Sequence, residues 1–182
     1  MSRIENVARL LDTRTLILER RFPVDPERLW DAIATREGLS HWFMATAHEI
    51  VEGGRFAFKG GWEGTISQVV RPRHLQFEAD VPDGVDGGYM RVEIVPDGDG
   101  SLFRLIDRMG EPHEPNFPPD TPASQIYQPG GPGTHWSGVV GGYHGFVDDL
   151  DKHLTGTTHE LDHAALSKAY VPVLDAWHAP ER

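Results

Sequence analysis

At 182 residues, 38% of them apolar, the chain is long enough to bury the core of one domain and short for two. Its formal net charge of −11 is spread without blocks of like charge and argues against a nucleic-acid partner, while the absence of cysteine excludes a disulfide framework and thiol chemistry. The opening "MSRIENVARLLDTR" has no long apolar stretch and no run of eighteen apolar residues occurs anywhere, so a cytoplasmic protein without a membrane partner is expected.

"RTLILERRF" (14 to 22) reads as a strand that ends at Pro23. Asp25 then offers an N-cap oxygen with Pro26 at the first helical position, and Leu29, Trp30 and Ile33 form the apolar stripe of the helix that follows. After Gly38 a second short turn carries Leu39, Trp42 and Phe43. Between 47 and 108 the pattern becomes short alternating runs separated by turn chemistry: "GG" at 53 and at 60, "RPRH" at 71, "PDG" at 82 and "PDGDG" at 96. This predicts an antiparallel meander whose buried face carries Phe56, Phe58, Ile66, Leu75, Phe77, Val92, Ile94, Phe103 and Leu105.

"SGVVGGYHGFVDDLDKHL" (137 to 154) returns to helical spacing. Tyr143, Phe146, Val147, Leu150 and Leu154 share one side, and Asp148, Asp149, Asp151 and Lys152 share the other. A further helix is expected from Thr157, with Glu160 as capping-box partner, until Pro172 bends or stops it. Between the meander and the long helix lies a segment, 109 to 135, with seven of the chain's fourteen prolines. It carries Phe117, Ile126 and Tyr127 and leads into Trp136, which suits a lid over a pocket mouth; a mobile Pro/Gly-rich loop is the competing reading. The domain organisation expected is a single unit over 1–154 with this insert, followed by a helical extension over 155–182.

The stretches "LERRFPVDPERLWDAIATREGLSHWF", "GGRFAF", "GTISQVVRPRHLQFEA", "VEIVPDGDGSLFRLID" and "GGYHGFVDDLDKHL", in this order, resemble the heat-shock-protein-90 ATPase activator-like family of the START/SRPBCC superfamily. The resemblance runs from about residue 14 to 154 apart from the insert. It implies an α+β helix-grip fold, a curved antiparallel sheet wrapped around a long C-terminal helix with an internal cavity. It also implies a range of activities, since the superfamily includes ligand carriers, cyclases, sensors and co-chaperone domains. Two positions depart from the family pattern: Tyr143 stands where the helix often has Trp, and Asp107 where many relatives carry His. Both are expected to face the cavity.

Binding of a small apolar or amphipathic molecule ranks first, because it needs only a cavity with a few polar anchors. The residues expected to line it are Trp42, Trp62, Phe77, Val92, Phe103, Asp107, Trp136, Tyr143, His144 and Val147. For the aromatics, ordinary core packing competes with ligand contact. Asp107 continues the alternation of Ser101, Phe103 and Leu105 inward, where a carboxylate is costly unless paired, and Arg91 or Arg108 is the structural alternative to a ligand role. His144 lies at the edge of the helical stripe and reads as half-exposed.

A cyclase-like or hydrolase-like enzyme using Asp107 with Tyr143 or His144 is the alternative, although no nucleophile or metal constellation demands turnover, and a protein-binding co-chaperone role is a third reading. "HELDH" (159 to 163) matches a zinc-protease pattern, yet Asp162 puts a charge on a helix that should be buried and no third ligand is obvious, with Asp175 and His178 the nearest proposals. No metal and no cofactor are therefore expected, and a homodimer is left open.

Overall fold

The computed structural model describes residues 6–12, 14–59, 61–110 and 135–178, with 135–140 and 174–178 described as backbone alone. The strands are β1 (Arg9–Leu10), β2 (Thr15–Phe22), β3 (Arg55–Ala57), β4 (Glu63–Val70), β5 (His74–Ala79), β6 (Gly88–Asp97) and β7 (Gly100–Met109). They form a seven-stranded sheet in the order β1-β2-β7-β6-β5-β4-β3, antiparallel at every pairing. The helices are α1 (Pro26–Ile33), α2 (Arg36–Trp42), α3 (His135–Thr155) and α4 (His163–His178). Strand, two short helices, meander and long helix is the helix-grip arrangement, with the curved sheet closing on α3.

Local chemistry sets most of these boundaries. The Asp25 carboxylate accepts the Arg28 amide at 3.0 Å and starts α1 ahead of Pro26. The Thr35 hydroxyl accepts the Gly38 amide at 2.9 Å and starts α2 earlier than the turn expected after Gly38. Gly38 is inside the helix because α2 presses on the end of α1: a Cβ there would lie 2.4 Å from the Asp31 carbonyl oxygen. In the sheet, the register between β4 and β5 slips at Ile66/Gln68, a bulge that adds bend to the strand.

Two elements differ from the sequence expectation. Strand β1 is a two-residue edge pairing Arg9 with Ile17 and Leu10 with Leu16, too short to leave a periodic signal. Helix α4 starts at His163 rather than Thr157, because Gly156 ends α3 at a φ of 74° and the Asp162 carboxylate caps the next helix by accepting the Ala165 amide at 3.0 Å. Pro172 lies within α4, which continues to His178. The insert contracts to 110–134, since β7 reaches Met109 and α3 begins at His135; apart from Gly110 it lies outside the described residues.

The core forms where the inner face of the sheet meets α1, α2 and α3. Phe22, Phe56, Phe77 and Phe103 are fully buried, as are Leu16, Leu18, Leu29, Leu75 and Leu105. Phe103 packs edge-on against Phe22 at 5.9 Å and against Trp42 at 6.0 Å between ring centroids. From α4, Leu166 and Tyr170 join the same cluster. Phe103→Ala should therefore cost about 3 to 5 kcal/mol of stability, the range for a buried ring whose neighbours cannot collapse into the void, and urea unfolding would measure it.

Candidate functional site

Strand β7 alternates Phe103, Leu105, Asp107 and Met109 onto the inner face, where Asp107 is 7% exposed. Its register partners are Leu16 on β2 and Met90 on β6, both buried and apolar. Opposite them, α3 brings Tyr143, whose hydroxyl donates to Asp107 Oδ2 at 2.7 Å. Burial and the neighbouring Asp107 charge push the Tyr143 phenol well above its ordinary value, so it serves as a fixed hydrogen-bond donor rather than as a proton source. The arginines weighed as partners of Asp107 go elsewhere. Arg91 donates to Gln76 at 2.7 Å, and Arg108 forms a pair of bonds to Asp86 at 2.9 and 2.6 Å.

Burial along α3 is graded. Val147 and Leu150 are completely buried and Leu154 nearly so, whereas Tyr143 and Phe146, nearer the start of the helix, are only half-buried. Half-buried Trp62 is on the same side of this gradient, because Phe43 joins it to Phe146: the Phe43 ring is 4.8 Å from Phe146 and 6.4 Å from Trp62. Trp62 also stacks on Phe58 at 5.4 Å and meets Phe77 at 5.9 Å. Among the described residues, packing against α3 is thus complete at Val147, Leu150 and Leu154 and less so at Tyr143 and Phe146, and Tyr143 is where the helix meets Asp107.

The expected lining residues consequently divide. Asp107 and Tyr143 come together, and Trp62 and Phe77 share an aromatic cluster that reaches α3 through Phe43. Trp42 and Phe103 pack on each other in the core, with the Trp42 indole N–H donating to the Ala32 carbonyl at 2.9 Å. Val92 and Val147 are buried core. The Trp136 side chain lies outside the described residues, as do those of Asp175 and His178.

His144 differs from its sequence reading. It is 1% exposed rather than half-exposed, because the C-terminal arm covers that side of α3. Its Nε2 is 3.3 Å from Arg20 Nη2 and its Nδ1 is 3.0 Å from the Tyr170 hydroxyl, which also accepts the Ala8 amide at 3.1 Å. A guanidinium only donates, so Nε2 must accept and the imidazole proton belongs on Nδ1. Burial and the Arg20 charge hold His144 down at about 4.

Asp148 is also buried instead of sharing the solvent face, for it pairs with Arg20 at 3.6 Å, Lys152 at 3.2 Å and His159 Nε2 at 2.7 Å. Burial pushes its carboxyl up, but the bonds from His159 and Lys152 outweigh this and leave it below its ordinary value. Sequence reasoning missed Arg20, although the alternation of Leu16, Leu18, Arg20 and Phe22 already places it on the inner face.

"HELDH" takes a different form from the one a zinc site needs. Residues 159 to 162 are not helical, so His159 and His163 are not one helical turn apart, and His159 is turned onto Asp148. Among the described residues no three potential ligands converge as a metal site would require. Among the described residues, two surface clefts lie away from the Asp107 region. One, of 370 Å³, includes Asp148, Lys152, Glu160 and His163. The other, of 480 Å³, lies among α1, α2 and the end of α3, where His41 and His153 stack at 4.5 Å and Arg28 donates to the Leu154 carbonyl.

The depressed His144 value makes stability pH-dependent. Between the ordinary value of 6.5 and the folded value of about 4, the unfolded chain binds more protons at this position than the folded one, so stability should fall as pH drops through that window. Asp148, held low in the fold, adds a further loss only below the ordinary carboxylate value of 3.8. Urea unfolding from pH 7 to 4 should show the first slope, reduced in His144→Gln, and nitrogen-15 NMR should find the His144 proton on Nδ1 at pH 5.5.

In sequence, residues 23–116, just over half of the chain, match the family described as Activator of Hsp90 ATPase homolog 1-like protein. No curated protein matches the chain. Among solved structures, CalU16 from Micromonospora echinospora is 19% identical with a TM-score of 0.63, over 91% of this chain and 89% of that one. The Aha1 dimer from Colwellia psychrerythraea is 14% identical with a TM-score of 0.57, over 79% and 98%. DynU16, of the dynemicin biosynthetic locus, is 16% identical with a TM-score of 0.55, over 79% of this chain and 48% of that one. At such identities the likeness is one of fold, and it agrees with the sheet order and the gripping helix. With a sequence match of this extent on the same architecture, the chain belongs to the Activator of Hsp90 ATPase homolog 1-like family.

Proposed function

We propose that the protein binds a small apolar or amphipathic molecule between the sheet and α3 beside Tyr143, in the manner of a carrier or sensor. The observation that supports this best is the buried Asp107 carboxylate, hydrogen-bonded to half-buried Tyr143 on the gripping helix. A polar pair set among apolar neighbours, next to half-buried aromatic rings, is the arrangement by which a mostly apolar pocket orients a ligand. The pair is poorly suited to turnover. A phenol held well above its ordinary value is a weak general acid, which counts against Tyr143 as the acid of a cyclase-like or hydrolase-like reaction.

A ligand carried through purification would appear in native mass spectrometry as a discrete added mass. Independently, dansylamide, an apolar fluorophore with a sulfonamide donor, should bind the wild type and lose about 1 to 3 kcal/mol of affinity in Asp107→Asn, the usual range for a charge-assisted hydrogen bond. Thermal stability should stay level in that variant, since the amide oxygen still accepts the Tyr143 hydroxyl. Strong destabilisation of Asp107→Asn with unchanged dansylamide binding would make the carboxylate a structural group and remove it from the site.

A further inference from the structure

Building on the binding site proposed above, we infer that the stacked pair His41 and His153 is an acid-sensitive joint between α2 and α3. When both rings carry a proton the end of α2 is pushed off α3, and the ligand site beside Tyr143 loses affinity.

His41, near the end of α2, and His153, near the end of α3, lie face to face, with 4.5 Å between ring centroids and 11° between planes. Both line the 480 Å³ cleft. Among the described residues neither ring forms a hydrogen bond, so ring contact alone joins them. Such a stack tolerates one proton, but two cations at this spacing repel. The other charges facing the pair give little relief. From α1, Arg28 adds a third positive charge and already occupies the Leu154 carbonyl, at the negative end of α3. Asp31 of the same helix is bound by Arg71 at 3.2 Å, and on α3 Asp149 is bound by Lys152 at 2.9 Å. Glu37, one turn before His41 on α2, is the acid of the cleft left to oppose the repulsion. Partial burial, the His41 ring and the Arg28 charge together hold His153 below its ordinary value of 6.5.

The joint reaches the ligand site along one stripe of α3. Phe146, Leu150 and His153 follow at helical spacing and share a face. The end of α2 bears on both ends of that stripe: His41 stacks on His153, while Phe43 meets Phe146 at 4.8 Å and Trp62 at 6.4 Å. Between them Trp42 is tied to α1 by its bond to the Ala32 carbonyl, and Gly38 presses on the same helix. The two short helices therefore move as one piece, and a push at His41 is carried to Phe43 and the half-buried rings it touches.

Two measurements test the joint and the binding site separately. Histidine NMR titration should find the His153 midpoint below 6.5, and higher in His41→Gln than in the wild type. Dansylamide affinity should weaken about threefold between about pH 7.5 and about pH 5.5, the scale of repulsion between exposed charges in physiological salt. His41→Gln and His153→Gln each leave at most one charge in the pair, so each should bind like the wild type at the higher pH and keep that affinity at the lower. His144, held at about 4, stays neutral over this window, and Asp107 is retained in both variants, so neither residue imitates the result.

If dansylamide binds equally well at both pH values, or its loss on acidification persists in both variants, or His153 titrates alike with and without His41, the joint is wrong and the binding site stands. If dansylamide binds at neither pH, the binding site falls and the coupling to it with it.

Discussion

The arrangement of this molecule depends on one largely buried charge. Strand β2 places Arg20 on the inner face of the sheet, opposite Phe103, and a guanidinium in that position has to be answered. The long helix answers it with Asp148, and His144 one turn earlier faces the same group. These contacts fix the rotation of α3 about its own axis. Once Asp148 and His144 are turned to β2, the adjoining stripe of Val147, Leu150 and Leu154 falls on the apolar sheet, and Tyr143 at the head of that stripe arrives at Asp107. Taking away one partner of such a pair costs far more than the pair contributes, about 3 to 5 kcal/mol against a net value near zero. The cluster therefore acts on register and orientation more than on stability.

Two buried acids on facing elements have in this way acquired opposite characters. Asp148 is surrounded by donors from three directions, and its charge is absorbed by Arg20, Lys152 and His159. Asp107 meets a phenol among leucines and methionines. The first ties α3 to β2, and the second, on β7, meets α3 through Tyr143. The separation follows from the sheet, because β2 and β7 run antiparallel and put Arg20 level with Phe103 but Leu16 level with Asp107.

Much of the scaffold could be read from the chain because its signals are local. The Asp25–Pro26 cap, the turn chemistry of the meander and the inward alternation through Phe103, Leu105 and Asp107 each rest on a few neighbouring residues, and each reappears in the structure. The pairing of Asp107 with Tyr143 was accessible only as far as both were placed on facing surfaces. What escaped sequence reasoning was long-range. The burial of His144 depends on Tyr170, and the burial of Asp148 on Arg20 and on the turn of His159 toward it. On the helix alone, Asp148 is indistinguishable from Asp149 and Asp151. The late start of α4 was a contest between two N-caps, Thr157 with its partner Glu160 and Asp162, in which the hydrogen bonding of the connecting segment favoured the second.

The bond from the Ala8 amide to the Tyr170 hydroxyl joins positions 162 residues apart in sequence. Closing so large a loop carries an entropy cost that hairpins such as β6–β7, joined by a short turn, do not bear, so the meander is ordered early and this tie is made late. Interactions absent from the transition state leave the folding rate almost untouched and act on the rate of escape from the native state. By fastening Ala8 to α4, Tyr170 would work as a kinetic latch, lengthening the lifetime of the folded molecule without helping to build it.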